Sequence, residues 1–364
     1  MSLDQLVIGG GPAGAMLAAG LAQQGKSVTL LEGTGGAHHK VCGEFLSWEA
    51  CAALRGEGVD IDGLDGAPID RLRMIHGDRA AETHLPGTAL GISRYRLDEA
   101  LLSHAAARGA RVRRGTMVRA FEGGQARLSD GDVLAAARTW LATGKRELRG
   151  TARAIGAQAV TDGLTGFKLH VRLAPADRDA IARTIELHRF GGGYAGLQPI
   201  EDGKANLCLL AKEEIARGGW DGVRAHLALS APRLFARLDR AEALFEKPLA
   251  IARVPYGFVS NAAQAPVRIG DQLAVIHSFT GDGMAIAITS GIAAARLSGH
   301  DDAHLMRQLA RRTRGPVARA AWIYAHLSEG GFALRTVQAF PWLARQAARF
   351  TRVELLKKSK GKPL

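Results

Sequence analysis

The chain has 364 residues, of which 47% are hydrophobic and 23% are charged. This composition is ordinary for a globular protein with a sizeable core. The formal net charge is +13, yet Arg is spread along the whole chain and no basic module rich in aromatic residues stands out. We therefore expect no nucleic-acid partner. The three cysteines, Cys42, Cys51 and Cys208, argue against a disulfide framework and favour a reducing, cytoplasmic compartment.

Membrane segments are not predicted from the sequence. No apolar run reaches the roughly 18 residues that a membrane span needs, and the first predicted strand begins almost at the N-terminus, which favours a chain without a signal peptide. The basic tail from Phe340 to Leu364 has two interpretations. It is either an amphipathic helix that lies on an anionic membrane, which makes the protein peripheral to the membrane, or a helix packed on the rest of the protein. The sequence leaves the oligomeric state open.

The clearest pattern lies in the first 32 residues. An apolar run, Leu6–Ile8, is followed by a glycine-rich turn, an Ala-rich helical stretch, a second apolar run and then Glu32. Gly9, Gly11 and Gly14 fit the GxGxxG spacing of a dinucleotide-binding turn, with the acid about 20 residues on. The helix that follows would offer its free N–H groups to the phosphates, and Glu32 would accept hydrogen bonds from ribose hydroxyls. The motif predicts a bound dinucleotide without separating FAD from NAD.

The rest of the chain changes character twice. Helices are predicted over about 47–55, 94–108 and 284–298, and the middle of the chain from about 160 to 264 has the alternating pattern of an antiparallel sheet, with a helical patch near 213–245. The alternation over 167–173 predicts a half-buried strand. A βαβ region is thus interrupted by a sheet and then resumes.

Four segments, in this order, resemble those of FAD-dependent oxidoreductases of the geranylgeranyl reductase and p-hydroxybenzoate hydroxylase superfamily. They are Gly9–Gly14 with Glu32, Arg94-x-x-Leu97, Ala142–Gly144, and Gly270-Asp271 followed by Gly281–Met284. The resemblance implies FAD and an α/β fold. A Rossmann-like FAD-binding domain of the glutathione-reductase type would cover 1–75, 95–160 and 265–300. An antiparallel β-sheet substrate domain would cover 76–94 and 161–264, with C-terminal helices over 301–364.

The resemblance also implies which residues hold FAD. Glu32 would bind the adenosine ribose, Arg94 the phosphate or ribityl region, and Asp271 a ribityl hydroxyl, while the positive end of the helix from Met284 would lie near the flavin ring. The implied cofactor-binding set is Gly9, Gly11, Pro12, Ala13, Gly14, Glu32, Gly33, Lys40, Cys42, Gly43, Arg94, Ala142, Thr143, Gly144, Gly270, Asp271, Gly281, Asp282, Gly283 and Met284.

Three segments depart from the family pattern. Lys40-x-Cys42-Gly43 resembles the Lys-x-Cys-Gly-Gly loop of geranylgeranyl reductases, but Glu44 takes the place of the second glycine. The Ala142–Gly144 segment is not followed by the Asp-Gly pair that the hydroxylases usually carry. This absence weakens the prediction of a hydroxylase that is driven directly by NADPH. Gly193–Pro199 lacks the aromatic pair of the reductases, which leaves the choice of substrate open.

Three side chains are candidates for catalysis. Cys42 is either a reactive thiol tuned by Lys40 or a small buried residue in a flavin-covering loop. Glu44 is either a general acid or a loop cap. His277 is either an acid–base group or a histidine that holds its loop by hydrogen bonds.

The remaining polar candidates are assigned more simply. Tyr194, Gln198 and Phe279 are predicted to line the substrate pocket, and Cys208 is expected in the core. Lys168, His170 and Arg172, and likewise Glu186 and His188, are interpreted as solvated faces of the sheet. His38 and His39 have no third ligand at a suitable spacing, so no metal is predicted.

The leading hypothesis is an FAD-dependent oxidoreductase that transfers hydride between the flavin and a lipophilic, isoprenoid- or polyketide-like small molecule, presented by a carrier or by a membrane. NAD(P)H is a candidate electron donor. Two alternatives stay open: a flavin-dependent monooxygenase that hydroxylates an aromatic or polyketide substrate, and a non-catalytic electron-transfer flavoprotein.

Overall fold

A computed structural model describes residues 3–153, 155, 163–261, 265–328, 352 and 355–356, with side chains of the last helix described to residue 325. The strands are β1 (Leu3–Ile8), β2 (Val28–Leu31), β3 (Phe45–Leu46), β4 (Ala67–His76), β5 (Arg79–Gly91), β6 (Arg111–Arg113), β7 (Val118–Glu122), β8 (Gln125–Leu128), β9 (Val133–Leu141), β10 (Leu164–Arg172), β11 (Thr184–Phe190), β12 (Gly193–Pro199), β13 (Ala205–Lys212), β14 (Glu242–Ala243), β15 (Leu249–Ala252) and β16 (Val267–Arg268). The helices are α1 (Pro12–Gln23), α2 (Trp48–Gly56), α3 (Arg94–Ala107), α4 (Pro175–Ala180), α5 (Glu213–Ala216), α6 (Gly219–Ser230), α7 (Pro232–Asp239), α8 (Gly283–Arg296) and α9 (Asp302–Ser328).

The first sheet has the strand order β6-β2-β1-β9-β8-β7, with β16 also paired to β9. The pairs β1–β2, β1–β9, β2–β6 and β9–β16 are parallel. β1 and β2 are apolar because helices cover their faces. Helix α1 packs against both α3 and α8. A Cβ atom at Gly291 would lie 2.3 Å from the carbonyl oxygen of Ala13, so the small residues of α8 allow this close approach. The predicted α/β architecture is confirmed.

The second sheet has the order β14-β10-β13-β12-β11-β4-β5-β3, with β15 paired to β10. Its pairs are antiparallel apart from β11 with β4. One face packs on α6 and α7 through apolar side chains such as Phe167, Leu169 and Leu234. The boundary predicted between residues 75 and 76 falls inside β4, so this sheet takes in more of the chain than was expected.

The prediction of a half-buried β10 was wrong. Its odd-numbered side chains face the helices, and its even-numbered ones face the loop that contains Glu44. Lys168 and His170 are therefore buried, with exposures of 0% and 2%. Only Arg172, at the end of β10, matches the solvated face that was predicted.

The predicted solvated face of β11 was also wrong. Glu186 and His188 are buried, and His188 Nε2 lies 2.9 Å from a carboxylate oxygen of Glu186. Arg73 from β4 donates to the other oxygen at 2.8 Å. Arg237 on α7 donates to Glu186 as well. Helix α7 thus covers this face with a counter-charge, which alternation along β11 cannot show.

The C-terminal region is described only in part. Helix α9 follows α8, and most of the tail from Phe340 to Leu364 lies outside the described residues. In the part of the chain that is described, no helix combines the length and the apolarity that crossing a membrane would require.

Candidate functional site

A cavity of about 560 Å³ lies between the two sheets. Its first-sheet wall consists of the turn after β1, the end of β2 with Glu32, and Ala142–Lys145 after β9. Its second-sheet wall consists of residues from β10 to β13 and β15, among them Ile185, Leu187 and Leu210. The loop around Cys42 and the residues that precede and begin α8 join the two walls.

The turn between β1 and α1 is shaped by its glycines. Gly9 has a φ of 110°, and a Cβ atom at Gly14 would lie 1.9 Å from the carbonyl oxygen of Gly9. Gly14 therefore packs the helix onto the turn and does not line the cavity. Among the described atoms within 4 Å, a Cβ atom at Gly11 would meet only Arg94 Nη2, at 3.5 Å, so this position opens onto the cavity.

Helices α1 and α8 begin at the cavity with uncapped N-termini. The N-caps of α1 and α8 are Gly11 and Asp282, neither side chain makes a capping hydrogen bond, and neither helix has an acid in its first turn. Their positive ends are thus available to a ligand. A Cβ atom at Gly283 would meet no described atom within 4 Å. Such a cradle fits the anionic diphosphate of FAD at one helix and electron-rich oxygens of the flavin ring at the other.

Glu32 is held in place by backbone and side-chain donors. One carboxylate oxygen accepts from the N–H of Gly10 at 2.9 Å, and the other accepts from the N–H and hydroxyl of Thr34 at 3.0 and 2.9 Å. Burial alone would raise the pKa of Glu32, but the charge of Lys40 and these hydrogen bonds keep it below its usual value. Glu32 is therefore ionised and can accept from ribose hydroxyls.

An ion-pair triad lies beside the turn. Arg94 donates to both oxygens of Asp98, at 2.6 and 2.8 Å, and Lys40 donates to Asp98 at 2.8 Å. Asp98 is buried, and burial favours its neutral form, yet the two cations hold its pKa below the usual value. Asp98 thus positions two cations at the cavity wall. Sequence reasoning missed it because it is one helical turn away from Arg94, inside α3.

Asp271 lines the cavity and pairs with Lys145, whose Nζ lies 3.0 Å from its carboxylate. The charge of Asp271 raises the pKa of Lys145 above its usual value. Lys145 directly follows Ala142–Gly144, the segment in which the sequence lacks the Asp-Gly pair of the hydroxylases. At this point the chain therefore places a cation at the cavity.

Glu44 is the centre of a buried charge cluster that the sequence did not reveal. Its exposure is 0%, and its carboxylate accepts from Lys168 Nζ at 2.5 Å and contacts His170 Nε2 at 2.6 Å. The N–H of Arg94 donates to the carboxylate at 2.8 Å. Burial alone would raise the pKa of Glu44, but these partners hold it below its usual value. An ionised Glu44 is a poor general acid, so the geometry favours a positioning role.

Cys42 lines the cavity next to this cluster. It is half-buried, and the N–H of Glu44 donates to its Sγ at 3.4 Å. The side chain of Asn206 donates to the carbonyl oxygens of Cys42 and Gly43, at 3.2 and 2.9 Å. The loop is thereby attached to β13, and the thiol is held at the cavity.

His39 lies close to Glu44 and His170, and their potential ligand atoms are all within 4.8 Å of one another. The spacing of residues in the sequence gave no sign of this grouping, because His170 comes from β10. Both carboxylate oxygens of Glu44 already contact Lys168 or His170, so we assign no metal to the cluster. Burial and the nearby cations lower the pKa of His39 to about 4.

His277 was expected at the flavin loop as an acid–base candidate, but it does not line the cavity. Its ring is stacked between those of Tyr256 and Tyr324, with centroids 4.9 and 4.2 Å away. The stack holds the imidazole behind the wall, and burial lowers its pKa to about 4. A neutral imidazole in this position packs against its neighbours and cannot act as a general acid at neutral pH.

The predicted substrate residues Tyr194, Gln198 and Phe279 all line the cavity. Gln198 donates to the carbonyl oxygen of Glu44 at 2.8 Å. Tyr194 OH lies 2.5 Å from Ser278 Oγ, a residue that sequence reasoning did not select. Cys208, which was expected in the core, also lines the cavity, and burial raises its pKa to about 12.

Asp282 was predicted to bind the cofactor, yet it points away from the cavity. It is fully buried and pairs with Arg352, whose guanidinium lies 4.3 Å from the ring centroid of Trp48. Burial raises the pKa of Asp282 to about 6. Apart from Gly14, Asp282 and His277, all the residues predicted for catalysis, cofactor and substrate line the cavity.

Comparisons with known proteins agree with this architecture. Residues 2–138 match the family described as FAD binding domain. A menaquinone reductase of Mycolicibacterium smegmatis is 26% identical over 322 residues, which covers 81% of this chain and 76% of that protein. A menaquinone reductase of Mycobacterium tuberculosis is 27% identical over 318 residues, with 81% and 76% covered.

Solved structures share the fold over nearly the whole chain. The flavin-dependent brominase Bmp2 superposes with a TM-score of 0.79 at 17% identity, covering 96% of this chain and 93% of that one. A geranylgeranyl bacteriochlorophyll reductase-like protein of Thermoplasma acidophilum has a TM-score of 0.74 at 18% identity, covering 97% and 94%. Together with a cradle that fits FAD, the match of residues 2–138 to an FAD binding domain and the similarity to these reductases indicate an enzyme of the FAD-dependent oxidoreductase or monooxygenase type.

Proposed function

We propose that the protein is an FAD-dependent reductase that transfers hydride between the flavin and a lipophilic, isoprenoid- or polyketide-like substrate. The observation that carries the proposal is the shared cavity, in which a polar first-sheet wall meets an apolar second-sheet wall. A dinucleotide needs the first wall, and a lipophilic molecule is bound best by the second. Bound FAD supplies the two-electron chemistry through N5 of its flavin ring.

The first-sheet wall is assigned to binding. Gly11 and the N-terminus of α1 would hold the diphosphate, and Glu32 the adenosine ribose. Arg94 would contact the phosphate or ribityl region, and Asp271 would accept from a ribityl hydroxyl. The N-terminus of α8 favours negative charge near it. The position of each residue at the cavity supports its proposed role.

The side chains between the walls are assigned to positioning and substrate contact. Cys42 presents its thiol to the cavity and is the candidate to contact the reacting part of the substrate. Glu44 keeps the Cys42 loop attached to β10, since it pairs with Lys168 and His170 there. His277 supports the ring of Tyr256 from behind.

The relatives named menaquinone reductase make an isoprenoid quinone the first compound to test. NAD(P)H is the first electron donor to test. A lipophilic substrate needs a carrier or a membrane surface to reach the cavity. The basic composition of the chain suits a carrier or a membrane surface that is anionic.

The test is anaerobic turnover of the purified holoenzyme. The flavin is reduced with dithionite or NADPH, menaquinone in detergent micelles is added, and flavin reoxidation is followed at 450 nm while the lipid product is identified by mass spectrometry. We expect reoxidation without oxygen, with a product two hydrogens heavier. Cys42→Ser is the test variant and Cys51→Ser, buried away from the cavity, is the matched control.

Other outcomes would contradict the proposal. Turnover that requires oxygen and adds an oxygen atom to the lipid identifies a monooxygenase. Reduced flavin that is reoxidised by no lipid, but by a protein electron acceptor, identifies an electron-transfer flavoprotein.

A further inference from the structure

Three hydroxyl groups from separate parts of the chain meet at the cavity. Tyr194 is on β12, Tyr256 follows β15, and Ser278 begins the turn that leads to α8. Ser278 Oγ lies 2.5 Å from Tyr194 OH and 3.2 Å from Tyr256 OH. All three residues line the cavity, and Ser278 is exposed there. We call this group the hydroxyl cluster.

The number of protons in the hydroxyl cluster determines what it can offer to a ligand. Each of the three hydroxyls carries one proton, and two contacts join them. Whatever the direction of each hydrogen bond, two of the three hydroxyl protons are engaged within the cluster, and the third is not engaged by these two contacts. If both phenols donate to Ser278, as the most direct arrangement, the serine accepts twice and its own proton is left for the cavity.

The hydroxyl cluster is neutral and held in place. Burial raises the pKa of Tyr256 to about 12 and that of Tyr194 above its usual value, so both phenols stay protonated at neutral pH. The ring of Tyr256 stacks on His277, with an interplanar angle of 16°. A donor that is fixed before a ligand arrives loses little freedom on binding.

The surroundings of the hydroxyl cluster are apolar. Leu210, Ile251 and Val275 line the same cavity; Leu210 and Val275 belong to a core cluster against which Ile251 and Tyr194 pack. A ligand next to the hydroxyl cluster therefore meets these apolar side chains together with the neutral donor of the cluster. A charged ligand group would lose its hydration here without gaining a counter-charge from the cluster.

We propose that the hydroxyl cluster donates one hydrogen bond to a neutral acceptor oxygen of the substrate. The substrate is thus an apolar molecule that carries a carbonyl group, as in a ketone or a quinone, and not a plain hydrocarbon chain. This inference rests on the proposed action on a lipophilic substrate and narrows its class.

Equilibrium binding to the oxidised holoenzyme tests the inference without turnover. Geranylacetone, an isoprenoid ketone, is compared with the hydrocarbon of the same carbon skeleton, in which CH₂ replaces the carbonyl, by the change in flavin fluorescence. We expect the wild-type protein to bind the ketone about 3- to 10-fold more tightly, the effect of one neutral hydrogen bond. Equal affinities would overturn the inference while leaving the reductase proposal intact.

Variants locate the effect at the hydroxyl cluster. Ser278→Ala should remove the preference for the ketone, whereas Tyr194→Phe should keep most of it, because one spare proton remains in the pair Ser278–Tyr256. Ser298→Ala is the matched control, since Ser298 bonds Gln24 and Lys26 near the far end of α8. Ser278→Cys, which keeps a weak donor, replaces Ser278→Ala if that variant loses FAD.

The remaining outcomes are decisive as well. Should Ser278→Ala bind FAD more weakly yet retain the ketone preference, or should Ser278→Cys retain it in full despite its weaker donor, the cluster serves the cofactor and the inference is wrong. Should neither ligand bind the wild-type holoenzyme and no lipophilic compound be reduced, the proposed function fails together with the inference.

Discussion

The first-sheet wall of the cavity is made mostly of backbone, whereas the second-sheet wall and the loops beside it are made of side chains. At the first wall, glycines and the N-terminus of α1 form the surface, and Glu32 is held by its own neighbours in the chain. At the second, Glu44 meets partners more than 120 positions away. The first-sheet wall can be predicted from the spacing of residues that are close together in the sequence. The second exists only when β10, β12 and β13 are assembled.

The difference suggests how each wall fails. A surface made of tightly packed glycine backbone is disrupted when atoms are added, because a new Cβ atom clashes with neighbouring backbone atoms. Side-chain clusters are disrupted by removing a partner, because the remaining group is left buried and unpaired. The following predictions test this contrast, beginning with the largest expected effect.

Gly14→Ala should cause the greatest loss. A Cβ atom there would lie 1.9 Å from the backbone oxygen of Gly9, which cannot move without opening the turn. We expect failure to retain FAD through purification and a lowered melting temperature. Gly56→Ala, where a Cβ meets no described atom within 4 Å, is the matched control. A Gly14→Ala protein with normal FAD content would disprove the backbone account of the first wall.

Lys168→Met should lower the free energy of unfolding by about 3–5 kcal/mol, because Glu44 is left buried without its cation. Urea denaturation measures the change. Arg172→Met, on the same strand, removes an exposed pair with Glu242 and should cost no more than about 1 kcal/mol. Adding Glu44→Gln to Lys168→Met should recover part of the loss. Equal effects of Lys168→Met and Arg172→Met would contradict the buried cluster.

His277→Phe should make stability less sensitive to acid. The folded state lowers the pKa of His277 from 6.5 to about 4, so the unfolded chain takes up a proton first as the pH falls. This group's contribution is therefore present above pH 6.5 and is lost as the pH falls toward 4. We expect the free energy of unfolding to fall between pH 6.5 and pH 4 by about 2 kcal/mol less in His277→Phe than in the wild type, as measured by denaturation at both pH values. The exposed His76→Phe is the control, and an unchanged pH dependence in His277→Phe would contradict the buried stack.

Glu32→Gln should have the smallest effect, a rise in the dissociation constant of FAD of about tenfold, the scale of one charge-assisted hydrogen bond. The carboxylate accepts from Gly10 and Thr34, and an amide can replace it only in part. Titration of the apoprotein with FAD measures the change. Glu122→Gln, at an exposed pair on β7, should bind FAD as the wild type does. A wild-type affinity in Glu32→Gln would show that backbone alone holds this part of the ligand.

Sequence reasoning was strongest where residues close in the chain act together. The GxGxxG turn and Glu32, the three helices α2, α3 and α8, and most of the predicted pocket residues came from spacing and family resemblance. It failed for Lys168, His170 and Glu186, since alternation along a strand says that two faces differ and does not say what covers each face. His277 and Asp282 were displaced for a related reason. Both residues belong to the predicted cofactor loop. In the structure, however, His277 stacks on Tyr324 and Asp282 pairs with Arg352, and neither lines the cavity.

By itself the sequence determined the β1–α1 turn with its dinucleotide pattern and the alternation of α/β and antiparallel regions, whereas the choice of FAD came from the family resemblance. The turn and the alternation depend on backbone conformation and on short-range periodicity, which neighbouring residues fix. The tertiary structure alone decided that Glu44 is ionised between Lys168 and His170, and that Tyr194, Tyr256 and Ser278 share a spare proton at the cavity. Ionisation and hydrogen-bond donation depend on what surrounds a side chain, and here those surroundings come from strands and loops far apart in the chain.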